Sequence, residues 1–157
     1  SNVDDPETLS AFLDAFRNIA ERIPIAYPMH PRTAEHLETF GLKESLESAE
    51  GMIVTPPLGY LDLLNLQNSA LFVMTDSGGI QDESSYLKKP CITLRPVTER
   101  PVTVECGVSV LAGSDTDLLK KYADDILSGN EWECTDIPYW DGNTAGRIVD
   151  VLMQLEQ

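Results

Sequence analysis

Basic residues are scarce in this chain. Lys and Arg together number 11 against 26 Asp and Glu, a formal net charge of −15 over 157 residues. Nonspecific binding to nucleic acid or to an anionic membrane needs clustered cations. The composition argues against both, and the acidic excess reads as solubility or adaptation to salt. Histidine occurs twice, and cysteine three times, at Cys91, Cys106 and Cys134. The thiols lie far apart with no Cys-x-x-Cys or Cys/His spacing, so no metal site is expected. An odd, unpatterned set suggests reduced thiols and a cytoplasmic protein. No apolar run reaches transmembrane length, and no signal-peptide pattern opens the chain. It starts at Ser1-Asn2 without Met, as a piece of a longer protein would. The phosphate-binding P-loop pattern and the Gly-x-Gly-x-x-Gly dinucleotide fingerprint are both missing.

What is present is an ordinary globular composition, 42% hydrophobic and 24% charged, at a length suited to one domain with its own core. Helix and strand signals alternate along it. Pro6-Glu7-Thr8 opens a helix capped by Asp4 or Asp5, with Leu9, Phe12, Leu13, Phe16, Ile19 and Ala20 on one face. Apolar strands are expected at 23–28, 51–55, 71–75, 91–94 and 108–111. Helices are expected at 32–40 and 61–68, from the glycine turn to about Lys88, at 99–106 with Thr98 as its cap, from Ser114/Asp115 to about Ser128, and at 143–155. The last carries Ala145, Ile148, Val149, Leu152 and Leu155 on its apolar face, and residues 129–140 before it read as irregular. Unbroken apolar strands separated by helix-sized segments predict a doubly wound, mainly parallel α/β sheet covered on both faces.

Ligands of such sheets sit beyond the carboxyl ends of the strands. Four turn segments follow four of the strands and should gather at one edge: Met29-His30-Pro31-Arg32, Pro56-Pro57-Leu58-Gly59-Tyr60, Asp76-Ser77-Gly78-Gly79, and Arg95-Pro96-Val97-Thr98-Glu99-Arg100. The third is the most informative. It joins a buried strand directly to a helix, whose first N–H groups lack partners and favour an anion. Glycines let a phosphate approach the backbone, and Ser77 adds a hydroxyl. The alternative is steric, since such a turn uses glycine whatever it binds. Glu83 lies roughly 9 Å further along the helix axis, where it would suit a ribose diol or simply face solvent. Arg95 and Arg100 would bind a phosphate or carboxylate with forked donors, or pair with Glu99 or Glu105. His30 would act on a ligand group or serve structurally. His36 is expected on an exposed helix face, and Trp132 and Trp140 as loop anchors. No Ser/His/Asp set and no paired acid and base are indicated, so the chain reads as a binding half.

Read as strings, these residues resemble a known family. Thr75-Asp76-Ser77-Gly78-Gly79-Ile80-Gln81-Asp82-Glu83, then Lys89-Pro90, Leu94-Arg95 and Thr98-Glu99-Arg100-Pro101, are similar to the non-hydrolysing UDP-N-acetylglucosamine 2-epimerases. So are Asn2-Val3-Asp4-Asp5-Pro6, Tyr27-Pro28-Met29-His30-Pro31-Arg32-Thr33, Pro57-Leu58-Gly59-Tyr60-Leu61-Asp62 and Asp141-Gly142. The likeness runs in order over nearly the whole chain. It implies a Rossmann-like, UDP-binding C-terminal domain, one half of a glycosyltransferase-B-type fold, with the N-terminal domain absent. The implied ligand is UDP or a UDP-sugar, with no cofactor and no metal.

On the same resemblance Ser77, Gly78 and Gly79 hold the diphosphate, Glu83 the ribose, and the loop with Leu58 and Leu63 lies along the uracil. Arg100 faces the cleft, with His30, Arg32, Arg95, Thr98 and Glu99 as further cleft candidates. Leu63 stands where some relatives carry Phe. His30 matches a histidine that contacts a regulatory UDP-sugar in some bacterial members, which read His-Met-Asn-Pro where this chain has His30-Pro31-Arg32-Thr33. The family inverts C2 of the sugar by eliminating UDP across C1–C2 and adding it back. The acids and bases for this lie mainly in the N-terminal domain, so the chain is expected to be inactive alone and homodimeric only as part of a longer protein. Two other readings stay open: the donor-binding half of a glycosyltransferase or hydrolysing epimerase, against which Thr98-Glu99-Arg100-Pro101 weighs, and a stand-alone nucleotide-sugar binding module.

Overall fold

Asp5 opens the first helix, α1 (Pro6–Ala20), by accepting the Thr8 amide at 2.8 Å, an N-cap that satisfies an otherwise orphaned donor. The computed structural model of the protein describes residues 2–155. After α1, strands and helices alternate: β1 (Ile25–Pro28), α2 (Pro31–Thr39), α3 (Lys43–Glu47), β2 (Met52–Thr55), α4 (Tyr60–Ser69), β3 (Val73–Thr75), α5 (Gly78–Tyr86), β4 (Cys91–Thr93), α6 (Pro101–Glu105), β5 (Ser109–Leu111), α7 (Thr116–Leu127) and α8 (Thr144–Leu155). Thr98 caps no helix. Arg100 takes the cap position of α6 and Pro101 its first turn, where a missing N–H costs nothing. Asp115 caps α7.

All strand pairing is parallel. Hydrogen bonds group the strands into two ladders, β1–β2 and β3–β4–β5, which side chains join: Ile25 of β1 and Met74 of β3 pack on one cluster. Alternation along β4 sends Ile92, with Leu94 beyond it, to the face covered by α1 and α7. There they meet Phe12, Ile19, Leu119 and Ala123. Cys91 and Thr93 take the opposite face, against which α5 packs, and buried Gln81, Ser84 and Ser85 line that helix. Burial pushes the Cys91 thiol up, and the Thr93 hydroxyl, 3.9 Å from its sulfur, opposes this. This second interior is built of small polar side chains, which lets α5 sit close to β3 and β4.

A second cluster joins Leu9 and Leu13 to Leu37 and Leu46, with Tyr27, Met52 and Val54 against it. It explains α3, a helix too short to show a period in sequence, which forms because Leu46 is fully buried. His36 is not on an exposed face as expected. It is half-buried, bonds the Val3 carbonyl through Nδ1, and packs on Phe40. Trp132 anchors its loop as expected, with Nε1 donating to the Val108 carbonyl at 3.2 Å. The final helix α8 forms where the period predicts, yet buries nothing: Ile148, Val149, Leu152 and Leu155 are each more than half exposed. Arg147 ties it to Asp141 at 2.7 Å and lies 5.1 Å from the centre of the Tyr139 ring. Among the described residues no helix is long and apolar enough to cross a membrane.

Two glycines separate backbone strain from steric contact. Gly51 and Gly129 both have positive φ, +80° and +75°, but a Cβ at Gly51 would fall 2.4 Å from the Ala20 carbonyl oxygen, whereas one at Gly129 meets nothing within 4 Å. Gly129→Ala is therefore expected to cost about 1–2 kcal/mol of left-handed strain. Gly51→Ala should cost distinctly more, because backbone must shift. Urea unfolding of the two variants checks the order.

Candidate functional site

The strand ends are level. Pro28 pairs with Thr55, and Thr75 with Thr93, which pairs with Leu111. The turns after β1 to β4 therefore leave from the carboxyl edges of their ladders. The two edges lie close enough to interact: burial raises the Tyr27 phenol at the end of β1, a hydrogen bond with Thr33 opposes this, and the charge of Asp76 after β3 adds to the rise. Asn2 reaches the same edge, its Nδ2 donating to the Leu94 carbonyl at 2.6 Å.

Ser77 is the N-cap of α5, with φ −90° and ψ 126°, and no side chain caps the helix. Its amide donates to Thr75 Oγ1 at 3.0 Å, and its carbonyl accepts the Gln81 amide at 3.1 Å. The amides of Gly78, Gly79 and Ile80 precede that first helical bond, so they have no intrahelical acceptor and carry the positive end of the helix dipole. Neither glycine has positive φ. A Cβ at Gly78 would meet no atom within 4 Å, and one at Gly79 only the Ser77 hydroxyl at 3.9 Å. The fold itself does not demand glycine at either position.

Behind this turn, Gln81 is only 2% exposed. Its Oε1 accepts the Thr98 hydroxyl at 2.7 Å and its Nε2 donates to Thr103 Oγ1 at 2.8 Å. The same hydroxyls grip Arg100: Thr98 accepts its amide at 2.9 Å and Thr103 donates to its carbonyl at 2.8 Å. The Arg100 guanidinium pairs through Nε with Asp82 Oδ2 at 2.7 Å, so its carboxylate partner is neither Glu99 nor Glu105. Thus Ser77, Gly78, Gly79, Thr98 and Arg100 are brought to one place by a single buried amide.

Glu83 is half-buried, and its Oε2 accepts from Gln67 Nε2 at 2.6 Å; it is a held carboxylate, not a solvated one. Half-buried Leu63 lies in α4, which packs on α5, and Leu58 precedes that helix. His30 caps α2, its Nδ1 accepting the Arg32 amide at 3.2 Å, and Arg32 pairs with Asp4. Arg95 and Glu99 are exposed between β4 and α6. Sequence reasoning passed over Gln67, Gln81 and Asp82, because nothing in a string marks a glutamine as buried when most are exposed. Among the described residues no cluster of three His, Cys, Asp or Glu side chains is placed to hold a metal ion. Hollows lined by Gly107, Tyr122 and Trp132, and by Cys106 and Cys134, lie apart from this edge.

Parallel strands, uncapped helix starts and turns at the carboxyl edge define a Rossmann-like α/β domain, of the kind built into glycosyltransferase-B-type epimerases. Residues 1–153 match the family model described as UDP-N-acetylglucosamine 2-epimerase, and the chain belongs to that family. The UDP-N-acetylglucosamine 2-epimerase of Methanococcus maripaludis is 38% identical over 154 residues, covering 96% of this chain and 41% of that protein. The UDP-2,3-diacetamido-2,3-dideoxy-D-glucuronate 2-epimerase of Pseudomonas aeruginosa is 35% identical over 155 residues, covering 98% of this chain and 42% of that protein. The crystal structure of Methanocaldococcus jannaschii UDP-GlcNAc 2-epimerase in complex with UDP-GlcNAc and UDP matches with a TM-score of 0.84 at 38% identity, over 98% of this chain and 42% of that one. The chain spans about two fifths of the length of the curated relatives it matches.

Replacing Gln81 by Leu removes one of the two hydrogen bonds of each of the Thr98 and Thr103 hydroxyls and leaves each with its bond to Arg100. The variant should lose about 0.5–1.5 kcal/mol of stability for each of the two hydrogen bonds removed, read from the urea midpoint.

Proposed function

We propose that residues 1–157 form the UDP-binding C-terminal domain of a UDP-N-acetylglucosamine 2-epimerase, whose acid–base groups lie in an N-terminal domain outside this chain. The observation that carries the reading is the pair Gly78 and Gly79. Glycine occupies two positions where the fold would accept a side chain, at the start of an uncapped helix of nine residues. A diphosphate supplies the missing reason, because its oxygens must come within hydrogen-bond reach of those amides and a Cβ would stand in the way. In this reading Glu83 accepts the ribose hydroxyls, Leu58 and Leu63 lie along the uracil, and Arg100 meets the phosphates from the side. The complex of the Methanocaldococcus relative with UDP-GlcNAc and UDP supports the choice of ligand.

The reaction interconverts UDP-GlcNAc and UDP-ManNAc. As the bond from C1 to UDP breaks and the C2 proton leaves, negative charge grows on the departing phosphate. The helix-start amides and Arg100 are oriented before that moment and stabilise it without rearranging. Protons at C2 are handled from the other domain. The exposed apolar stripe of α8, Ile148, Val149, Leu152 and Leu155, fits a longer protein whose other domain covers it. Cytoplasmic location, and a homodimer for the longer protein, belong to the same proposal.

Titration with UDP should shift the amide resonances of Ser77, Gly78 and Gly79 before any others; no response at millimolar UDP removes the preformed site. Glu83→Ala is expected to weaken UDP by about tenfold or more, the worth of a charge-assisted hydrogen bond, with inorganic phosphate little affected. Equal losses for the two ligands take the ribose role away from Glu83.

A further inference from the structure

We propose that Gln67 sets the ribose selectivity of this site by fixing the carboxylate of Glu83, an inference that rests on the reading of Glu83 as the ribose acceptor. Gln67 is 4% exposed in α4, and a buried amide is tolerated only when its polar ends are bonded. Both ends are. Nε2 donates to Glu83 Oε2 at 2.6 Å, and Oε1 accepts the hydroxyl of fully buried Ser84 at 3.4 Å. The flipped amide would set its oxygen against a carboxylate, so the charge on Glu83 dictates which end faces it.

A glutamate on the second turn of a helix has three free torsions and, left alone, spreads its oxygens over several rotamers. Gln67 removes that freedom with a short charge-assisted bond. Holding Oε2 leaves Oε1 as the oxygen to accept from the ribose. Leu63 lies four residues before Gln67, on the same face of α4. One helix therefore carries both the apolar residue assigned to the base and the amide that aims the ribose acceptor. No sequence motif announces this pairing; it exists because α4 packs on α5.

The test compares UDP with 2′,3′-dideoxyuridine diphosphate and inorganic pyrophosphate in Gln67→Met, which keeps the side-chain length and loses both hydrogen bonds. The natural chain should prefer UDP over the dideoxy form by about tenfold or more, and the variant should lose most of that preference while pyrophosphate affinity holds. An unchanged preference in a folded Gln67→Met overturns the inference and leaves the UDP site standing. A natural chain without ribose preference overturns the reading of Glu83 and this inference together. Equal loss for UDP and pyrophosphate marks general loosening and also overturns it. Should the Met variant not fold, Gln67→Asn, one methylene too short to reach Glu83, must show the same loss of preference or the inference fails.

Discussion

Between the first turn of α5 and the β4–α6 segment, one buried side-chain amide accepts from Thr98 and donates to Thr103. Gln81 makes both bonds at once because its two ends differ, and each threonine passes the constraint on to the backbone of Arg100. The Ser77-Gly78-Gly79 turn and Arg100 come from different strand ends, yet they cannot move apart without breaking this joint. A network of this kind is stabilising only when every member is bonded, and here each hydroxyl both donates and accepts. The small, polar interior beneath α5, lined by Thr93, Cys91 and Ser84, lets the helix come near enough for the joint to close.

The charge balance explains why the site is built as it is. At a net charge of −15 the long-range field repels a nucleoside diphosphate, so attraction must be local. Backbone N–H groups at a helix start supply it without adding cations. Arg100 adds a cation whose direction is set by Asp82. Two carboxylates near the edge have partners: Asp4 pairs with Arg32, and one oxygen of Glu83 accepts from Gln67. In the proposed function this domain would contribute the leaving-group half of the chemistry, without help from the acidic surface.

Much of this was legible in the sequence, for reasons that separate local from non-local physics. The apolar face of α1 and its Asp5 cap follow from spacing that is complete within a few residues, as does the strand-turn-helix at 73–79. Position decided what spacing could not. Thr98 looks like a helix cap and instead bonds Gln81, because Pro101 sets the helix start three residues on. Leu46 forms a helix of five residues by being buried against α1 and α2, which no period reveals. The stripe on α8 announces a face that wants cover; a stripe cannot say which surface provides it. At Gly78 and Gly79 the string left sterics and ligand as equal explanations, and only the surrounding atoms weigh against sterics.

The most direct measurement is a crystal structure of the chain with UDP. Diphosphate oxygens are expected within about 2.7–3.2 Å of the Gly78 and Gly79 amides, with the ribose hydroxyls on Glu83 and the amide of Gln67 still on Oε2. A diphosphate bound elsewhere, with those two amides facing solvent, would contradict the proposed function.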